Sequence, residues 1–274
     1  MGARLQRRVQ RYGWDLAVEP YAQHWHALLA GVQHELLAQA APQPGEQVLD
    51  VACGTGVVAL ALAAAVGRGG SVLGVDLSAG MVAAALARTQ AAGVSQASFA
   101  RMDAEALTLP AASFDLVVCA LGLMYLPAAD AALREVQRVL RPGGRAVFGV
   151  WGERARCGWA PLFGIVDAEV HSEVCPLFFR LGQGEALARC CAAAGLTVTR
   201  SHRRDDTLWH ADADAACEAA FAGGPVALAW SRFDGVTRDR VRARYIDAIL
   251  PWRDGAGYRL PAEFVLVAAQ RLAA

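Results

Sequence analysis

Between residues 45 and 151 short apolar runs alternate with longer amphipathic ones, and no other feature of the chain constrains its fold so tightly. QVLDVA, SVLGVDL, ASFARMDA, FDLVVCAL and RAVFGVWG read as strands. VVALALAAAVG, AGMVAAALARTQAAG and DAALREVQRVL between them read as helices, the second ending at Gly93 and the third closed by RPGG. Strands that are apolar on both faces and alternate with helices build a parallel, doubly wound α/β sheet. Upstream, residues 14–41 predict an amphipathic helix stopped by Pro42, Pro44 and Gly45. Downstream the pattern loosens. A helix is expected over 184–195 with Gly195 as its cap, then a strand in LTVTRSHRRDDTL. Two helices within 211–250 are separated by AGGPVALAWSRFDG, and a last strand lies in YRLPAEFVLVAAQ. The expected organisation is one domain over 1–274. Its core spans about 43–151, 183–210 and 258–274, and its helical cap comes from 14–41, 152–182 and 211–257.

With 55% hydrophobic residues the chain can bury a core of that size, and its 26 basic residues balance 26 acidic ones. A neutral chain has no long-range field to draw in nucleic acid or an anionic membrane, and neither is expected as a partner. Arg4, Arg7, Arg8 and Arg11 share one helical face, which reads as solvated. Neither Lys nor Asn occurs, which excludes a catalytic lysine. The seven cysteines form no CxxC pair and have no His at metal-ligand spacing, so reduced thiols and no metal are expected. No apolar run reaches the ~20 residues that span a bilayer, and RLQRRVQR leads into no apolar h-region. A cytoplasmic location is expected, and a homodimer is compatible with the sequence.

VLDVACGTG carries the chemistry. Gly54, Gly56 and Ala59 fit GxGxxA, and Asp76 stands twenty residues past Gly56, as in a dinucleotide site. Glycines permit a tight turn and close backbone approach, and a carboxylate at Asp76 can grip ribose hydroxyls. Both serve any adenosine-containing cofactor. Asp50 separates the readings, because a carboxylate beside the loop repels a pyrophosphate by several kcal/mol in a partly desolvated site. S-adenosylmethionine carries an α-ammonium and a sulfonium and no phosphate, so the same carboxylate favours it; the plain alternative is an Asp that caps the turn. In RMDAEAL, Asp103 can accept from the adenine amino group while the Ala104 amide serves a ring nitrogen, although alone Asp103 equally reads as a turn cap. In FDLVVCALGLMYLP, Cys119, Ala120 and Leu121 are placed to pack near the cofactor.

VLDVACGTG, GVDLS, RMDAEALTLP, FDLVVCALGLMYLP and EVQRVLRPGGR, in that order over about residues 45–152, resemble the class I S-adenosylmethionine-dependent methyltransferases. The pattern is that of the type 11 group, which includes small-molecule and quinone-pathway enzymes. The resemblance implies a seven-stranded Rossmann-like sheet whose last strand runs antiparallel. It also implies cofactor contacts from Asp50, the turn Ala52, Cys53, Gly54, Thr55 and Gly56, from Asp76, Leu77 and Met81, and from Asp103, Ala104, Cys119 and Ala120. Tyr21 resembles the N-terminal aromatic that covers the methionine end. The segments outside the motifs carry no implication about substrate.

In methyl transfer the cofactor supplies the activated methyl group, and the protein supplies placement, desolvation and sometimes a base. His24, one helical turn from Tyr21, and Tyr125 are the candidate catalytic groups; His26, His171, His202 and His210 are weaker candidates. Trp151, Trp159, Phe163, Phe178, Phe179, Phe221, Trp230, Phe233 and Trp252 fall in or beside the extra segments, which suits a small apolar or aromatic metabolite, with Arg180 as a polar group in its pocket. Two alternatives stay open: a protein that binds S-adenosylmethionine without methyl transfer, and an NAD-dependent oxidoreductase.

Overall fold

The computed structural model describes residues 3–171 and 175–273; residues 172–174 of the 152–182 segment, and residue 274, lie outside the described residues. The strands are β1 Gln47–Val51, β2 Ser71–Asp76, β3 Ala97–Arg101, β4 Phe114–Ala120, β5 Leu140–Trp151, β6 Thr197–His210, β7 Arg253–Asp254 and β8 Gly257–Gln270. They form one sheet in the order β3-β2-β1-β4-β5-β8-β6, with the two-residue β7 folded back on β8. β1 to β5 pair in parallel, and β8 runs antiparallel to both β5 and β6. This is the expected doubly wound sheet with an antiparallel last strand, plus one short hairpin strand.

The helices are α1 Ala3–Ala40, α2 Val57–Val66, α3 Ala79–Ala91, α4 Ala129–Val139, α5 Pro161–Val170, α6 Ala186–Ala193, α7 Ala213–Cys217, α8 Ala227–Trp230 and α9 Gly235–Ile249. Two expectations need correction. RPGG does not close a helix, because α4 ends at Val139 and these residues begin β5. The separator between the late helices contains a helix of its own, α8, and α7 runs on into a π turn over Glu218–Ala222.

The N-terminal helix is also longer than expected, starting at Ala3 instead of 14. Its first turns bury Gln6, Gln10, Gly13 and Ala17, a helical stripe whose polar members hide the periodicity. Gly13 lets α1 approach α8, since a Cβ there would lie 3.7 Å from that of Leu228. Pro20 removes one helical N–H, and Gly223 packs against its carbonyl, 3.0 Å from where a glycine Cβ would stand. The four arginines do not make one free face. Arg7 pairs with Glu105 and Asp103, and Arg11 lies 5.3 Å from the centre of the Tyr12 ring.

One hydrophobic cluster runs from the sheet (Leu116, Val117, Phe148, Leu266) into α1 (Trp25, Leu29, Val32, Leu36), α5 (Leu162, Val166) and α9 (Val241, Ile249). No helix among the described residues is long and apolar enough to cross a membrane, and no cluster of His, Cys, Asp and Glu among them could hold a metal ion.

Where β5 leaves the sheet, Glu263 of β8 carries the junction. Its side chain is 3% exposed and accepts from Arg156 at 2.6 Å and Arg203 at 2.6 Å, as well as from the Glu153 amide at 2.8 Å. Removing the charge leaves two guanidiniums short of a partner, a loss softened by their own partial exposure. Glu263→Gln is expected to lower unfolding stability by about 2 kcal/mol in urea titration; an unchanged midpoint would show that the junction does not depend on this carboxylate.

Candidate active site

The carboxyl ends of β1 and β4 diverge at the point where the strand order reverses, the usual position of a ligand crevice in an open α/β sheet. Two residues that are not glycine adopt left-handed backbone there: Ala52 after β1, with φ 56°, and Leu121 after β4, with φ 63°. The next residue, Gly122, has no freedom to be anything else. A Cβ on it would stand 2.4 Å from the Ala52 Cβ and 3.0 Å from Cys119 Sγ. Close packing of the two loops thus fixes the crevice wall.

The glycine loop is tied to β2. The Cys53 amide donates to Val75 O at 3.0 Å, and the Gly54 amide to Asp76 Oδ2 at 2.9 Å. The other Asp76 oxygen accepts from the Ser78 amide at 2.9 Å. Gly56, at φ 82°, would place a Cβ 2.9 Å from that of Ala85, so it serves the turn. Gly54 has φ 53° and nothing within 4 Å of a built Cβ, which leaves open space over the loop.

That space is a cleft of about 870 Å³, open to solvent. Tyr21, Ala52, Gly54, Asp76, Leu77, Met81, Asp103, Ala104, Ala120 and Leu121 line it. So do Arg7, Gln10, Trp14, Met102, Gly122, Leu126 and Pro127, which sequence reasoning did not assign to the cofactor, and Tyr125. Asp103 Oδ1 accepts from the Glu105 amide at 2.9 Å, and Arg7 approaches its other oxygen at 3.4 Å. A second cavity of about 320 Å³ adjoins the cleft and shares Tyr21, Ala52, Gly54 and Ala120 with it. Asp50, Cys53 and Thr55 line it, together with His26 and Gln33. Cys119 lines neither cavity. It is fully buried, and burial pushes its thiol up to about 12.

Asp50 is 1% exposed, and neither carboxylate oxygen has a hydrogen-bond partner among the described residues. The Ala59 amide is near enough to favour the charge somewhat, but not in bonding geometry. Burial, and secondarily the charge of Asp76, push the Asp50 carboxyl up to about 8. A buried carboxyl with no donor is costly unless a ligand supplies one. Opposite it, Arg88 Nη2 lies 3.5 Å from His26 Nδ1. That assigns the ring proton to Nε2, which donates to Thr55 Oγ1 at 2.7 Å. Burial, and then Arg88, lower the His26 pKa, so the ring is neutral at pH 7.

The two catalytic candidates fare differently. His24 lines none of these cavities and lies near His210; the helix phase carries His26 to the smaller cavity instead. Tyr125 does line the cleft, but burial raises its pKa well above the usual value, so it is a hydroxyl donor and no base. Arg180 is exposed and lines a separate surface cavity with Arg154.

Comparison with known proteins bears on this geometry. Residues 48–144 match a methyltransferase domain family. The ubiquinone/menaquinone biosynthesis C-methyltransferase UbiE of Xanthomonas campestris is 37% identical over 145 residues, 53% of this chain and 57% of that one. The glycine loop and the strands that flank it thus fall within a match to methyltransferase domains. The chain spans little more than half the length of the curated relatives it matches. Among solved structures of methyltransferase fold, a Bacillus halodurans C-125 protein provisionally assigned as a methyltransferase superposes with a TM-score of 0.64 at 20% identity, covering 88% of this chain and 99% of that one. Geranyl diphosphate methyltransferase in complex with S-adenosylmethionine gives 0.54 at 20% identity, covering 92% of this chain and 89% of that one.

In a methyltransferase domain the raised carboxyl of Asp50 has a measurable consequence. It must lose its proton to hold an ammonium, so binding is coupled to proton release below about pH 8. Affinity for S-adenosylhomocysteine, measured by calorimetry, should therefore rise with pH between roughly 5.5 and 7.5, by up to tenfold per unit. Asp50→Asn should bind more weakly and lose that slope; a native protein with flat affinity over the range would remove Asp50 from the ammonium site.

Proposed function

We propose that the protein transfers a methyl group from S-adenosylmethionine to a small, apolar or aromatic metabolite. The observation that carries this reading is Asp50, buried beneath the glycine loop with both oxygens unpartnered among the described residues. Asp50, once ionised, and Arg88, held behind the neutral His26 and Thr55, give the smaller cavity a negative and a positive side. That polarity suits the α-ammonium and α-carboxylate of an amino acid. Asp76 has one accepted bond at each oxygen and keeps lone pairs for ribose hydroxyls. Leu77, Met81 and Met102 offer apolar faces to an adenine, and Asp103 with the Ala104 amide offers it an acceptor and a donor. The Asp50 carboxylate buried beneath the glycine loop opposes a pyrophosphate there, which counts against NAD.

The cofactor's sulfonium supplies an already activated methyl group, so the chain's task is to hold the acceptor in line and keep water out. Tyr21 lines the cleft and the smaller cavity, and it is held protonated by burial and by Asp76 and Asp50. Tyr125 is protonated too. Both hydroxyls can orient an oxygen nucleophile, and neither can take its proton at neutral pH. Placement accordingly does more here than base catalysis. The UbiE relative is a C-methyltransferase of quinone biosynthesis, in line with an aromatic acceptor.

The test is incubation of the protein with labelled S-adenosylmethionine and a metabolite extract. A labelled small product and S-adenosylhomocysteine are expected, and label on RNA or protein would overturn the acceptor class. Asp76→Ala should weaken cofactor binding by roughly 2 kcal/mol through loss of charge-assisted bonds, while millimolar NAD shows no binding to the native protein. NAD binding comparable to that of S-adenosylmethionine would favour the oxidoreductase instead.

A further inference from the structure

Helices α1 and α3 lie side by side, and their contact starts at the N-terminus of α3. Asp15 Oδ1 accepts there from Ser78 Oγ at 2.6 Å and from the Gly80 amide at 3.0 Å, and a carboxylate is favourable at that end of a helix. Gly80 allows the approach, since a Cβ on it would stand 3.0 Å from Val18 Cγ2. Further along α1, His26 comes level with Arg88 in the last turn of α3. Arg88 meets only neutral acceptors among the described residues. Its Nε donates to Thr55 O at 3.0 Å, and its Nη2 lies 3.5 Å from His26 Nδ1.

These contacts have a direction. A guanidinium can only donate, so Nδ1 is the accepting nitrogen of the His26 ring and Nε2 carries the proton. In the other tautomer Nδ1–H would point at an arginine N–H. Nε2 donates to Thr55 Oγ1 at 2.7 Å. A hydroxyl has one proton and two lone pairs, and here a lone pair receives the ring. Its own proton is left to donate, and no described residue accepts it. Thr55 is 3% exposed and lines the smaller cavity, as do His26 and Asp50. The bond that Thr55 can still make is therefore to an acceptor on a ligand in that cavity. The charge of Arg88 behind the ring polarises the donor and favours an anionic acceptor.

We propose that Arg88 and His26 are positioning residues for the cofactor: acting in the order Arg88, His26, Thr55, they hold the Thr55 hydroxyl as a donor into the smaller cavity and make the cofactor's α-carboxylate a condition of tight binding. The inference rests on the methyltransferase reading and adds a selectivity to it. Decarboxylated S-adenosylmethionine shares the adenosine, the sulfonium and the ammonium, so Asp50, Asp76 and Asp103 have no means of rejecting it. The relay does, and its middle member comes from α1, outside the matched residues 48–144.

Calorimetry with two ligands tests it: S-adenosylhomocysteine, and decarboxylated S-adenosylhomocysteine, which keeps the ammonium and lacks the carboxylate. The native protein should bind the first at least about tenfold more tightly, the range of a charge-assisted hydrogen bond. Arg88→Met and His26→Phe should each lower S-adenosylhomocysteine affinity about fivefold and leave the decarboxylated ligand within about twofold. Because the relay acts through Thr55, adding Arg88→Met to Thr55→Val should weaken S-adenosylhomocysteine by less than about twofold beyond Thr55→Val alone. Equal losses for both ligands would make Arg88 and His26 packing residues only and overturn the proposal. So would equal native affinities for the two ligands, or additive losses in the double variant. If the variants do not fold, the native protein still decides, because nitrogen NMR must show the His26 ring proton on Nε2, and a proton on Nδ1 overturns the relay. Failure to bind either ligand would strike the methyltransferase reading separately, and the ring tautomer then still judges the relay.

Discussion

The contact of Ala52 with Gly122 is the constraint on which the rest of the site depends. These residues lead out of β1 and β4, neighbours at the centre of a parallel sheet whose order reverses between them. Two chains leaving adjacent strands in opposite directions open a crevice, and their closest point decides its width. With a Cβ on Ala52 and none on Gly122, the loops meet at van der Waals contact. Ala52 and Leu121 accept left-handed backbone as the cost of that geometry, of order 1 kcal/mol each. In return Ala52, Ala120, Leu121 and Gly122 all face one cleft.

The electrostatics of the crevice follow from burial. Asp50 and Asp76 lie close enough in a desolvated space for the second to raise the pKa of the first. Backbone amides of Gly54 and Ser78 offset part of the burden on Asp76, whereas Asp50 has only the Ala59 amide nearby, out of bonding geometry. Burial also keeps Tyr21, Tyr125 and Cys119 protonated, so none of these three is a base at neutral pH. Chemistry that needs only placement suits such a site; chemistry that needs a strong base does not.

The sheet was legible in the sequence because apolar strands and glycine stops are local signals, and local signals suffice for a parallel α/β core. Asp50, Gly54, Asp76 and Asp103 were legible for the same reason, each sitting where a strand ends. The first turns of α1 were not, since Gln6 and Gln10 occupy its buried stripe while Gly13 and Pro20 mimic breakers. His24 was preferred to His26 because spacing from Tyr21 gives only relative phase. The absolute phase is set by Trp25, Leu29, Val32 and Leu36 packing inward, which is tertiary information. The relay through His26 was invisible for a deeper reason, because sequence shows that ring nitrogens exist and never which one carries the proton.

Helix α1 lies outside the matched residues 48–144, yet it contributes to every part of the site. It gives Arg7, Gln10, Trp14 and Tyr21 to the cleft, Tyr21, His26 and Gln33 to the smaller cavity, and Trp14, Tyr21 and Trp25 to a narrow aromatic-walled space behind the cleft. Tyr21 belongs to all three. It therefore stands where the three spaces meet. Helix α1 is held over the cleft by Arg7 on Glu105 and Asp103 at one end, and by Trp25 on Ala219 further along, so a single helix fixes one wall of each space.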